Sequence, residues 1–168
     1  MLRFSVVFVV LLLALFAFEV TPPGQAIVQP WTGWLASASA TAMGLFGSDV
    51  VAHGTALGSP TTGFAVNIVA GCNGVEAVLV LFAGILAYPA PWRWKLAGLA
   101  AGFAAIQGLN LVRIVSLYYL GLWNRDAFEW AHLYVWQALI MLDAMIVWLL
   151  WTRAVPAPAA APIAAQAA

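Results

Sequence analysis

The sequence contains little charge and almost no cysteine. Only 7% of its 168 residues are charged, and the six basic and six acidic side chains give a formal net charge of zero. No basic patch with interleaved aromatic residues occurs, so we exclude nucleic acid as a partner. The one cysteine, Cys72, excludes an internal disulfide and a cysteine-cluster metal site. We therefore expect no metal or other cofactor, and any chemistry at Cys72 must be that of a thiol.

Apolar residues make up 65% of the chain, and the mean hydropathy is +0.98. These values predict an all-α integral membrane protein in contact with the lipid bilayer. Four apolar runs predict transmembrane helices, within a single domain over residues 1–155, at residues 4–20, 74–90, 94–122 and 130–152. A signal peptide is the alternative for the first run, but no small-residue cleavage site precedes Pro22. The Ala/Pro-rich tail, 156–168, is expected to be disordered and cytoplasmic.

The basic residues predict the orientation of these spans. Four of them fall on one side of the predicted helices: Arg3, Arg93, Lys95 and Arg153. Cytoplasmic loops of membrane proteins are enriched in Lys and Arg. Both termini should therefore be cytoplasmic, and the segment over residues 21–73 should face outward.

The outward segment has an order of its own. Helical spacing of apolar residues over 27–46 predicts an interfacial helix, because three hydroxyl side chains interrupt its apolar face. A fifth span is the alternative, but it would move the basic loop after the second apolar run to the outer side. Residues 49–57 and 64–69, joined by GSPTTG, predict a short β-hairpin.

Three chemically capable residues are predicted at one depth near the outer surface. Cys72 precedes the second span, Arg113 reaches outward from the third, and His132 opens the fourth. A thiolate attacks an amide, histidine passes a proton near neutral pH, and arginine stabilises an oxyanion. This convergence predicts a thiol active site.

Neighbouring polar residues leave several interpretations open. Asn110 lies one helical turn from Arg113, and Glu76 lies one turn inward from Cys72. Glu76 either orients the site or balances the charge of Arg113, for which Asp143 is the other candidate partner. A lone cysteine at a membrane edge is also commonly an inert, small hydrophobic residue.

Three motifs together resemble a known family. They are GCNG, which contains Cys72 and Asn73, the NLVR stretch from Asn110 to Arg113, and His132 at the head of the last span. In this order they resemble the exosortase/archaeosortase family, particularly the short form called exosortase H. The resemblance covers the chain from about residue 64 to residue 132, and it is specific in the combination of motifs.

The resemblance implies a membrane-embedded cysteine protease or transpeptidase of the bacterial inner membrane, with its active site facing the periplasm. Its substrates would be proteins with a C-terminal sorting tail: a recognition motif, a hydrophobic span and a basic cluster. Cys72 would be the nucleophile, Arg113 the oxyanion-stabilising or substrate-orienting cation, and His132 the proton donor to the leaving group. Asn110, Glu76 and Asn73 would support them.

Two other functions fit the residues alone. In one, the protein is a non-enzymatic helical scaffold or assembly subunit, and its polar residues form hydrogen bonds between helices. In the other, Glu76, Asp143 and His132 serve proton-coupled transport. Transport is the weaker hypothesis, because these residues do not form a continuous chain between the two membrane faces.

Overall fold

The computed structural model describes residues 2–156. The predicted tail therefore lies outside the described residues, except for Pro156. The chain is mainly helical, and a π-helical turn over Ala131–Val135 joins its last two α-helices. The α-helices are α1 Leu2–Glu19, α2 Pro22–Gly44, α3 Val75–Ala87, α4 Trp92–Trp123, α5 Arg125–Trp130 and α6 Trp136–Ala154.

Three stretches of helix are long and apolar enough to cross a membrane: Leu2–Glu19, Trp92–Trp123 and the continuous helix Arg125–Ala154. The predicted run at 74–90 forms only the 13-residue α3, about 20 Å long against a hydrocarbon core of about 30 Å. Tyr88 ends α3 in an extended conformation, as expected of a residue before proline. The count of four spans is therefore not confirmed.

Four helices form one bundle. Helix α1 packs against α3, α3 packs against α4 and α6, and α4 packs against α6. Leu81, Ile106 and Ile140 meet in the bundle core, each almost fully buried. On the outside, only 6% of α1 is buried. Such a continuous exposed apolar surface is typical of a helix that faces lipid.

Small residues allow the close packing of α4 that the spacing of Gly98 and Gly102 predicts. A methyl carbon added at Gly98 would lie 2.3 Å from Nε1 of Trp151, and one added at Gly102 would lie 2.3 Å from a methyl carbon of Leu81. Trp151 also donates a hydrogen bond from Nε1 to the carbonyl of Trp94, at 2.8 Å. Both glycines are therefore sites of close helix packing.

The four basic residues used for the orientation lie at one end of the bundle. There the ring of Tyr88 lies 6.5 Å from that of Phe4 and 5.6 Å from that of Trp151, and Trp151 bonds to Trp94. Each of the four basic residues lies within two positions along the chain of one of these aromatic residues: Arg3, Arg93, Lys95 and Arg153. This is the basic end of the bundle.

Helix α2 begins earlier than the predicted interfacial helix. Thr21 is its N-cap, and its hydroxyl accepts a hydrogen bond from the amide of Gly24 at 3.2 Å. Pro22 and Pro23 then form the first turn, where a missing N–H costs nothing. Helix α2 is not among the described helices that are long and apolar enough to span a membrane.

The predicted two-stranded hairpin is wrong in one respect, because the described residues form three antiparallel strands in the order β1-β2-β3. They are β1 Val51–His53, β2 Ala56–Gly58 and β3 Ala65–Asn67. The stretch 49–57, expected to be one strand, folds back at Gly54, whose φ of +60° is in the left-handed region. The sheet buries Leu57 against α2 and α4.

We predict opposite effects for alanine at two glycines of α4. Gly98→Ala should destabilise the protein by about 1–3 kcal/mol, because the new methyl group displaces the rigid Trp151 ring. Gly108→Ala meets no atom within 4 Å and should be neutral or stabilising by up to about 1 kcal/mol. Thermal unfolding in detergent measures both, and equal midpoints would contradict the packing argument.

Candidate functional site

Cys72 lies in a tight turn between β3 and α3. Gly71 and Gly74 on either side of the turn have φ values of +82° and +72°, which side chains with a Cβ rarely adopt. Asn73 between them accepts a hydrogen bond from the amide of Val75 at 3.1 Å. It also donates one to the hydroxyl of Thr32 in α2, again at 3.1 Å. The turn is thereby fixed to α2 and presents the thiol at the N-terminus of α3.

His132 reaches the thiol from the last helix. Its Nε2 lies 2.8 Å from Sγ of Cys72, so one proton can be shared between the two atoms. The imidazole belongs to the π-helical turn and stacks on Phe128, with ring centroids 5.6 Å apart. π-Helical turns recur at functional sites, and this one sets the position of His132 on its helix.

Arg113 approaches the thiol from α4. Only 1% of its surface is exposed. One guanidinium nitrogen, Nη1, donates to the carbonyl of Gly71 at 3.1 Å, and the other, Nη2, lies 3.9 Å from Sγ of Cys72. The three residues predicted to converge therefore do meet, although Arg113 lies 41 positions and His132 60 positions after Cys72 in the chain.

Glu76 holds the other polar group of the same glycine. Its Oε1 accepts a hydrogen bond from the amide N–H of Gly71 at 2.5 Å. Neither Glu76 nor Asp143 forms an ion pair with Arg113, since the only pair within 4.0 Å in the described part of the chain is Arg125–Glu129. Glu76 and Arg113 therefore balance each other across the main chain of Gly71.

Asn110 supports the turn rather than Arg113. Its side chain is fully buried, and a methyl carbon added at Gly74 would lie only 3.1 Å from its Cγ. Both polar atoms of the Asn110 side chain lack a hydrogen-bond partner among residues 2–156, as do those of Gln107 and Oδ2 of Asp143. Asn110 therefore contributes to the site by packing beneath Gly74.

Burial controls the ionisation of the thiol. Loss of contact with water raises the pKa of Cys72; the nearby Arg113 cation lowers it, and the Glu76 carboxylate raises it further. The sequence offers both a helix N-terminus and a cation to lower this pKa, but desolvation outweighs them. The protonated thiol is therefore the favoured form, and nucleophilic chemistry at this group would need a base that takes its proton.

The thiol opens into a small cavity of about 70 Å³, lined also by Arg113, His132 and mainly apolar side chains. The segment over residues 66–69 and Phe128 form part of its wall. Sequence reasoning missed Phe128, because it carries no reactive group. An apolar wall strengthens the electrostatic effect of a cation on a charge that develops inside.

The fold and the cluster define a class: a multi-pass membrane protein with cysteine, histidine and arginine gathered at the end of the bundle opposite its basic end. The family model described as "Transmembrane exosortase (Exosortase_EpsH)" matches residues 1–152. The chain belongs to the transmembrane exosortase family, and the resemblance carried by the three motifs is confirmed. Neither a curated protein nor a solved structure matches it.

We predict that two changes that each remove a charge move the reactivity of Cys72 in opposite directions. Arg113→Gln removes the cation that favours the thiolate, so the pH profile of alkylation should move to higher pH. Glu76→Gln removes the opposing carboxylate and keeps an oxygen that can accept from Gly71, so the profile should move to lower pH. Iodoacetamide labelling measures this directly, since Cys72 is the only thiol.

Glu129→Gln is the matched control, because Glu129 forms only an exposed pair with Arg125; its profile should equal that of the wild type. Local unfolding would return the thiol toward its ordinary pKa, and so would lower the pH midpoint in every variant. Shifts of the same sign in Arg113→Gln and Glu76→Gln would therefore contradict the electrostatic argument.

Proposed function

We propose that this exosortase is a membrane-embedded cysteine protease or transpeptidase. Its substrates would be proteins with a C-terminal sorting tail composed of a recognition motif, a hydrophobic span and a basic cluster. The observation that carries the proposal is the 2.8 Å contact between Sγ of Cys72 and Nε2 of His132, with Arg113 at 3.9 Å from the same sulfur. Membership of the family supports it.

In the first step, Sγ of Cys72 bonds to the carbonyl carbon of the scissile amide while the thiol proton passes to Nε2 of His132. The electron pair of the carbonyl moves onto its oxygen. Arg113 stabilises this oxyanion through the guanidinium nitrogen that faces the sulfur. The bond from Nη1 of Arg113 to Gly71 holds the guanidinium in place.

In the second step, the tetrahedral intermediate collapses and the carbon–nitrogen bond breaks. His132 returns the proton to the leaving amine, and a thioester on Cys72 remains. Water or an acceptor amine then attacks the thioester carbonyl, and the departing sulfur recovers a proton through His132. Water as acceptor gives a protease, and an amine gives a transpeptidase.

The orientation follows from the basic end. The positive-inside rule favours a cytoplasmic location for that end, and the thiol lies at the opposite end of the bundle. The reaction would therefore occur at the periplasmic face of the inner membrane. The basic cluster of the substrate tail would remain on the cytoplasmic side, beside the basic end of the enzyme.

An apolar groove supplies a place for the hydrophobic span of the substrate. Helices α1, α2, α3 and α4 enclose a volume of about 560 Å³, whose wall includes Ile27, Trp34, Val75 and Val78. Val75 is the first residue of α3, three positions after Cys72. A helix that enters this groove from the lipid would bring the residues that precede it close to the thiol.

The scaffold hypothesis has less support. It requires the polar residues of the spans to bond between helices. The side-chain amides of Gln107 and Asn110, and Oδ2 of Asp143, have no such partner among the described residues. The transport hypothesis needs a hydrogen-bonded chain through Glu76, His132 and Asp143, and the hydrogen bonds of residues 2–156 contain none.

We predict that Cys72→Ala abolishes processing of a tailed substrate, with a loss of at least about a thousandfold. His132→Gln should cost about 10²–10⁴-fold, and Arg113→Lys, which keeps the charge but loses the forked donors, about 10²–10³-fold. Co-expression with a sorting-tail protein of the same organism, followed by a gel shift of the processed product, measures each loss. Gly108→Ala is the control, and unchanged processing in Cys72→Ala would remove the nucleophile assignment.

We predict that filling the groove affects tailed substrates without affecting the thiol. Ile27 lines the groove and is 64% exposed, so Ile27→Trp adds bulk where the substrate helix would lie. Processing should fall by about tenfold or more, as expected from the loss of about 1.4 kcal/mol of binding. Cys72 alkylation by iodoacetamide should be unchanged. Leu2→Trp, at an 80% exposed position of α1 outside the groove lining, is the control; equal losses would exclude this docking site.

A further inference from the structure

One edge of the small sheet has no strand beside it. In the order β1-β2-β3, strand β3 pairs only with β2. The amide of Ile68 donates to the carbonyl of Thr55, and the amide of Ser59 donates to the carbonyl of Phe64. Main-chain groups in antiparallel strands alternate in direction. Those of residues 64, 66 and 68 therefore face β2, and those of Ala65 and Asn67 face away from the sheet.

The outward groups of β3 are available for pairing. Ala65 and Asn67 are both exposed, and in the described part of the chain no hydrogen bond engages their main-chain N–H or C=O groups. The side chain of Asn67 accepts from the hydroxyl of Thr55, which leaves the main chain free. An unpaired strand edge of this kind pairs readily with an extended peptide.

The free edge leads directly into the candidate active site. The wall of the cavity that holds Cys72 includes Val66 and the three residues that follow it. Five positions separate Asn67 from Cys72, so the edge strand and the thiol belong to one short segment of the chain. A peptide paired with β3 would therefore have its next residues at the sulfur.

Both faces of such an added strand have room for side chains. Residues 67–69 line the cavity of the thiol and also a second cavity of about 180 Å³ on the side of α2. Amide and hydroxyl side chains contribute to that second wall, among them Gln29 and Thr32. Successive side chains of a strand point to opposite faces. An extended peptide at the edge would thus place alternate side chains in the two cavities.

We propose that the edge of β3 binds the recognition segment of the substrate as an added β-strand, and so delivers the scissile carbonyl to Cys72. This inference rests on the proposed function, because it names the part of the substrate that the same site holds. Main-chain hydrogen bonds to Ala65 and Asn67 supply the binding, and the hydrophobic span that follows the segment occupies the groove beside α3.

Proline at Ala65 tests the inference, because it removes an outward N–H and leaves the bonds between β2 and β3 intact. Ala65→Ser keeps the N–H. Ala52→Pro is a second control. In β2 the main chain of Leu57 faces β3, so that of Ala56 and Gly58 faces their β1 partners His53 and Val51. The N–H of Ala52, between those partners, therefore lies on the opposite edge of the same sheet. Processing of the tailed substrate and alkylation of Cys72 are measured for all three.

We expect Ala65→Pro to lower kcat/KM by about tenfold, the effect of one lost hydrogen bond, and to leave the alkylation rate equal to that of Ala65→Ser. Ala52→Pro should process normally. Processing by Ala65→Pro at the rate of Ala65→Ser would overturn the inference, as would a change of oligomeric state, which would assign the edge to a second copy of the chain. Continued processing in Cys72→Ala would instead overturn the nucleophile, and with it delivery to Cys72, whereas a loss in Ala65→Pro would still identify β3 as the edge that binds the segment.

Peptides provide a measurement that does not depend on the folding of a variant. A synthetic peptide with the substrate's recognition segment should inhibit processing. N-methylation at every second residue in one register should weaken this inhibition by about tenfold or more, because it removes the N–H groups that face β3. The same modification in the other register should have little effect. Equal effects in both registers would overturn strand addition even if Ala65→Pro perturbs the turn.

Discussion

The site depends on the way two opposite charges hold Gly71. The Glu76 carboxylate accepts from its N–H, and the Arg113 guanidinium donates to its C=O. Ions taken out of water cost several kcal/mol each unless their hydrogen-bonding capacity is met. Here the polar groups of one glycine satisfy part of it for both ions. The residue after Gly71 is the cysteine, so the same contacts that stabilise the two charges also fix the thiol between α3 and α4.

The two hydrogen bonds to Gly71 explain why residue 71 has no side chain and why the carboxylate comes five positions later. With a φ of +82°, Gly71 presents its N–H to the first turn of α3 and its C=O to α4. Glu76 lies in that first turn, where the helix dipole also favours a negative charge. Loss of Glu76 would leave the buried Arg113 without an opposite charge at Gly71, whereas Glu76 itself is only half-buried. Positioning of the Cys72 thiol and stability of this end of the bundle are therefore coupled.

The convergence of Cys72, Arg113 and His132 could be predicted from the sequence, because the length of an apolar helix fixes the depth of its residues. The contacts between Glu76, Gly71 and Arg113 could not be predicted, since the two charged side chains meet through the main chain of the glycine rather than directly. The third strand was missed because a fold-back at Gly54 needs only one left-handed residue inside an apolar run. The π-helical turn around His132 gives no composition signal at all. The catalytic roles assigned to Cys72, Arg113 and His132 stay predictions.

The short length of α3 determines what surrounds the thiol of Cys72. Its 13 residues rise about 20 Å from the basic end, whereas the hydrocarbon layer is about 30 Å thick. The thiol just before the first turn of α3 lies under α2 and the sheet, since Cys72 packs against the buried cluster that includes Leu35 of α2 and Leu57 of β2. This cover keeps water from part of the thiol, and the loss of water raises the pKa of Cys72. Among the hydrogen bonds of the described residues, the contact with Nε2 of His132 is the one that places a basic side-chain atom at this sulfur.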